Sequence, residues 1–170
     1  KVAVPVYGCG FLQHNSYWLD EFAKMTPDLK TRWQKNFDPS QYVAGIRCPV
    51  LFVNGTNDFA YPLDSYQLTY REVSKPDLCI KVNLPHGHPP GWSIPEVYVY
   101  TDSILRQAPA YPRLGEIEVA GTTARAKSLS TTPIAKGEFN YTTDSGEWQR
   151  RVWKKTPATL ANGTLSAEIP

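Results

Sequence analysis

Five residues in the first third of the chain, Pro49-Val50-Leu51-Phe52-Val53, run without polar alternation and stop at Asn54-Gly55. Such a run has no face to offer solvent. It fits a strand covered on both sides, the central strand of a parallel sheet. The segments around it follow the same logic. Val2-Ala3-Val4-Pro5-Val6-Tyr7 reads as a buried strand, and Gly8-Cys9-Gly10 after it as a turn or close approach. Ser16 is a candidate N-cap for a helix in which Trp18, Phe22 and Met25 recur at helical spacing. Pro27 suits the first turn of a second helix with Leu29, Trp33 and Phe37 as its apolar stripe, and Asp38-Pro39-Ser40 restarts the chain for a short turn ending at Gly45. Beyond the apolar run come a helix from about Leu63 to Val73, a strand from Leu78 to Leu84, and a helix from Pro95 to Gln107. Strand and helix in alternation predict an α/β fold with a doubly wound sheet over residues 1–108.

Near Pro109 the pattern changes. Pro109, Pro112 and Gly115 mark a linker over 109–115. From Glu116 the chain shows short period-two segments: Ile117–Val119, Ala124–Ser130, Glu138–Thr142, Gln149–Lys154 and Thr164–Ile169. Five short strands divided by turns predict an all-β, immunoglobulin-like sandwich over 116–170, incomplete because such domains usually have seven strands or more.

Composition narrows the function. Eighteen basic against sixteen acidic residues leave a net charge of +2, and no basic cluster exceeds two residues, so no nucleic acid is expected as partner. No apolar stretch approaches the ~18 residues of a membrane-spanning helix. Three cysteines with no C-x-x-C motif argue against a disulfide framework or a zinc site. Cys9 and Cys79 fall on expected strands and behave as small hydrophobes, while Cys48 lacks the context of a nucleophile. The Asn-x-Thr triplets at Asn54, Asn140 and Asn162 are formal glycosylation sites only.

The residues suited to chemistry lie in two loops at expected strand ends, Val53-Asn54-Gly55-Thr56-Asn57-Asp58-Phe59-Ala60-Tyr61-Pro62 and Leu84-Pro85-His86-Gly87-His88-Pro89-Pro90-Gly91-Trp92. Loops at the carboxyl ends of neighbouring parallel strands converge, which would set Asp58 beside a histidine. A carboxylate there accepts the imidazole Nδ1–H, fixes the tautomer and stabilises the imidazolium. Asp64, in the first turn of the next helix, suits a dipole-stabilising role, and His14 has no acidic partner at a telling position.

Apolar strand, Asn-Gly-Thr-Asn-Asp, helix, apolar strand, Gly-His: this order resembles the second half of the α/β-hydrolase fold, where acid and histidine follow the nucleophile. More narrowly, the chain resembles dienelactone-hydrolase-like and acetyl-xylan-esterase-like members, some of which carry a C-terminal β-sandwich. The resemblance covers about residues 1–108, with the helices of 16–44 where these enzymes insert a cap. It implies a serine carboxylic-ester hydrolase in which Asp58 is the acid and His88 the base, since His88 follows Gly87 as in the family's Gly-His, with His86 as the alternative. No metal or organic cofactor is implied, and the implied substrate is a small acyl ester or an acetylated glycan. Secretion would suit a polysaccharide esterase. Phe59, Tyr61 and Trp92 are the candidate substrate-wall aromatics, and Trp148 and Trp153 are expected to pack inside the sandwich.

The chain departs from that pattern in lacking any G-x-S-x-G and any oxyanion-hole segment. Together with the opening at Lys1, this predicts a C-terminal piece that lacks the N-terminal half of its own catalytic domain and is inactive alone. Two other functions fit the same residues. One is a serine peptidase of the prolyl-oligopeptidase type, which shares the order of acid and base. The other is a non-catalytic binding module with a degenerate hydrolase domain.

Overall fold

The computed structural model describes all 170 residues and divides into two units. One comprises Lys1–Tyr98 with Gly146–Arg150, the other Val99–Ser145 with Arg151–Pro170. The division thus falls inside the helix Pro95–Leu105, upstream of the 109–115 segment read as a linker.

The first unit is organised on β1 (Leu51–Gly55), every residue of which is buried. Before it come α1 (Leu19–Lys24), α2 (Pro27–Phe37) and two 3-10 turns at Pro39–Gln41 and Val43–Gly45. After it follow α3 (Leu63–Arg71), β2 (Asp77–Lys81), the short α4 (His88–Trp92) and the start of α5 (Pro95–Leu105). β1 and β2 pair in parallel, Leu51 opposite Asp77 through Gly55 opposite Lys81. On the other flank of β1 runs the segment 2–7. Leu51 donates to the Ala3 carbonyl, Val53 to the Pro5 carbonyl, and Tyr7 back to Val53. Pro5 has no N–H to return to Leu51, so this flank holds only two isolated bridges, at Ala3–Val50 and Val6–Val53.

The expectation of half a doubly wound α/β-hydrolase sheet is therefore corrected. The regular parallel sheet has two strands, and no α/β-hydrolase fold is evident. The broken pairing at Pro5 is one cause. The other is the early end of β2, where Asn83 turns the chain away with φ 54° before Leu84.

The helices of 16–44 enter the core directly. Leu12, Phe22 and Val43 pack with Val50, Phe52, Tyr66 and Val73, and Met25 and Trp33 lie against them. Thr26 caps α2 by accepting the Leu29 amide. Ser16 sits two residues short of the α1 cap, accepting the Trp18 amide and donating to the Leu12 carbonyl. The expected stripe on α2 is only partly buried, with Leu29 and Phe37 exposed. Asp38 is fully buried and clamps the loop after the first segment, accepting the amides of Phe11 (2.9 Å), Leu12 (3.1 Å) and Ser40 (2.8 Å).

The second unit is a single antiparallel sheet, which corrects the two-layer sandwich. Its strands are β3 (Glu118–Ala120), β4 (Thr123–Lys127), β5 (Gly137–Tyr141), β6 (Lys154–Ala161) and β7 (Thr164–Glu168), in the order β3-β4-β7-β6-β5. The expected strand over 149–154 begins only at Lys154, and Trp148–Arg150 form a 3-10 turn. Period-two alternation marks one buried face per strand but not the number of layers. Ala124 opposite Ala167 and Ala126 opposite Leu165 share the buried face, while Arg125, Lys127 and Glu168 point away. Asn162-Gly163, both at positive φ, close the β6–β7 hairpin in two residues, which lays these strands edge to edge in one layer. No helix is long and apolar enough to cross a membrane.

Replacing Asp38 with Ala would leave three amides around the Gly10–Leu12 loop without acceptors, at a cost of about 1–3 kcal/mol each. Urea unfolding of the Asp38→Ala chain should show a loss of at least ~3 kcal/mol. A loss within the ~0.5 kcal/mol typical of a surface change would contradict the clamp.

Candidate functional site

Asp58 stands three residues beyond the end of β1 and is 1% exposed. The loop that carries it is built from its own polar side chains. Asn54 accepts the Gly55 amide and donates its amide nitrogen to the Tyr61 carbonyl at 2.8 Å, tying the start of the loop to its end. Thr56 gives its amide to the Lys81 carbonyl and accepts the Asn83 amide, holding the loop against the end of β2. Gly55 is required for that approach, since a Cβ there would meet the Leu84 carbonyl oxygen at 2.5 Å. Within this frame Asp58 Oδ1 accepts the amides of Ala60 and Tyr61, each at 2.8 Å.

The other oxygen, Oδ2, lies 2.8 Å from Nδ1 of His86. A carboxylate only accepts, so in this contact Nδ1 carries the proton, and in the neutral imidazole Nε2 then presents its lone pair. Nε2 has no hydrogen-bond partner among the 170 residues, and the His86 side chain is 25% exposed. The arrangement can therefore take a proton at Nε2 from a group brought to it. Three aromatic rings surround the imidazole: Tyr7 at 4.5 Å between centroids, Phe59 at 5.1 Å and Tyr61 at 5.8 Å. Burial and the nearby Asp58 carboxylate raise the Tyr7 phenol above its usual value, so it stays protonated and donates to the Pro85 carbonyl at 2.8 Å.

His88, the histidine expected beside Asp58, is not the one paired with it. His88 begins α4, is exposed, and stacks on Trp92 with centroids 5.3 Å apart. Pro89 and Pro90 fit the first turn of a helix, which takes His88 out of the loop and onto α4. Phe59 and Tyr61 do lie against His86, whereas Trp92, 67% exposed, stacks on His88 instead. Asp64 accepts the side-chain amide of Asn15, and His14 is exposed beside Phe11.

An ion pair joins Lys81, at the end of β2, to Glu96 in the first turn of α5. Burial pushes the Glu96 carboxyl up, but the Lys81 ammonium and the residue's own backbone amide together outweigh it and hold the group below its ordinary value. A lowered folded-state value means that this contact stabilises above the ordinary carboxylate range and is lost as pH falls through the folded value. Cys9 is buried, and burial pushes its thiol far up, so it offers no thiolate. No group of three or more His, Cys, Asp or Glu side chains is placed to hold a metal ion.

One residue of this site carries no chemical signal in the sequence: Tyr7 reads as the end of a strand, and a strand pattern does not show that its side chain lies against a histidine. No family model, curated protein or solved structure matches this chain.

Removing the Asp58 carboxylate orphans the buried Ala60 amide, the part-buried Tyr61 amide and the His86 Nδ1–H, so Asp58→Ala should cost about 3 kcal/mol in urea unfolding. His88→Ala, at an exposed position, should stay within ~0.5 kcal/mol of the parent. Equal losses from the two variants would contradict the pairing.

Proposed function

We propose that these residues supply the acid and the base of a serine-type carboxylic-ester hydrolase, with His86 as base and Asp58 as the group that orients it. The observation that carries this is the 2.8 Å contact between the buried Asp58 carboxylate and His86 Nδ1, with Nε2 left unpartnered. A serine hydroxyl at Nε2 would give up its proton to the imidazole as its oxygen attacks the acyl carbon. The imidazolium, held by Asp58, would then protonate the departing alkoxide, and a water molecule would repeat the cycle to free the acid.

No hydroxyl or thiol of the 170 residues bonds to Nε2, so the nucleophile in this proposal is supplied from outside them. The choice of ester over amide rests on the resemblance of the Asn54–Asp58 loop to dienelactone-hydrolase-like and acetyl-xylan-esterase-like enzymes. That resemblance favours His88 through its Gly-His motif. Distance favours His86, and base catalysis requires the distance. The substrate class that follows is a small acyl ester, such as an acetylated glycan, with Phe59 and Tyr61 as walls beside the reacting carbonyl.

The gene product that carries these residues should hydrolyse an aryl acetate, and His86→Ala should lower kcat/KM by about 10²–10⁴-fold. His88→Ala should stay within about threefold, since its imidazole lies outside the pair. Full activity in His86→Ala, or no hydrolysis by the parent, would overturn the proposal. The isolated 170-residue chain should show no turnover.

A further inference from the structure

Tyr7 holds its backbone at φ 65°, in the left-handed region that a bulky residue enters only at a cost. The surrounding contacts over-determine that conformation. Its amide donates to the Val53 carbonyl at 2.8 Å, which ties it to β1 two residues before Gly55 and five before Asp58. Its hydroxyl donates to the carbonyl of Pro85, the residue directly before His86, at 2.8 Å. Its ring is the nearest of the three to the imidazole, 4.5 Å between centroids with the planes tilted by 35°. At Gly91, α4 comes so close that an added Cβ would stand 2.9 Å from Tyr7 Cε2 and 3.3 Å from its hydroxyl.

These contacts answer a need of the Asp58–His86 pair. One hydrogen bond at Nδ1 sets the distance between the groups but leaves the imidazole free to swing about it, and the side chain is a quarter exposed. A ring against the imidazole and a bond to the preceding carbonyl remove that freedom.

We propose that Tyr7 is the positioning residue of this site: its ring supports the His86 imidazole, and its hydroxyl anchors the backbone at Pro85, so that Nε2 is held in one direction. This rests on the assignment of His86 as base and adds what holds that base in place. Tyr7 does not exchange a proton with a substrate; it acts through His86.

The test follows the His86 Nδ1 proton by NMR in the ¹⁵N-labelled 170-residue chain. Exchange of that proton with water should speed up about fivefold in Tyr7→Phe, which loses one hydrogen bond of ordinary strength but keeps the ring. In Tyr7→Leu, which loses both contacts, it should speed up tenfold or more, with Phe rescuing part of the loss. Gly91→Ala, which crowds the ring without removing it, should move exchange in the same direction. Unchanged exchange in Tyr7→Leu, with the β1 and β2 amide signals intact, would overturn the proposal. Should Tyr7→Leu fail to fold, the unmodified chain still decides. Cross-relaxation between the Tyr7 and His86 ring protons must be present, and its absence refutes the contact. A gene product that hydrolyses no ester, combined with these exchange results, would remove the hydrolase assignment and leave the positioning role standing.

Discussion

The Asp58 carboxylate is almost sealed from water and keeps its place because both of its oxygens have donors. Oδ1 takes two backbone amides from its own loop, and Oδ2 takes the imidazole of His86 from another. A buried carboxylate without such partners would be strongly unfavourable, so the loop conformation and the histidine position are coupled through it. The turn at Ala60 and Tyr61 and the distance of His86 from Asp58 follow from satisfying this one group.

What brings the donors together is the direction of three chain segments. Residues 2–7, β1 and β2 run parallel, so their carboxyl ends open on the same side. Tyr7 closes the first, Asp58 follows the second and His86 follows the third. This convergence needs only the direction of the segments. It survives although Pro5 reduces the first flank to bridges and the regular sheet to two strands. Polar clamps do the work that a fuller ladder would do elsewhere: Asp38 fixes Phe11 and Leu12, and Thr69 accepts the Gly10 amide.

How much of this was legible depended on whether the signal was local. The run at 49–53 announced β1 because its burial on both faces is written in consecutive apolar residues. Asp58 was legible from its place after that strand. His86 was not separable from His88, because loop positions two apart differ only in how the chain turns. The Pro89-Pro90 pair was the available clue that His88 starts a helix. The extent of the parallel sheet was misjudged because the single missing N–H of Pro5 weighs little in a hydrophobic pattern and decides a ladder. The single layer of the second unit was missed for a related reason. Alternation reports which face is buried, while Asn162-Gly163, the hairpin signal that joins β6 to β7, coincides with an Asn-x-Thr triplet.

Asp58 selects the tautomer of one histidine among three. Long-range ¹H–¹⁵N correlation spectra of the imidazoles at neutral pH would test this most directly. His86 should carry its proton on Nδ1, and this preference should disappear in Asp58→Asn, with His14 and His88 unaffected by that substitution. A His86 protonated on Nε2 in the unmodified chain, or a response to Asp58→Asn at His88 instead, would contradict it.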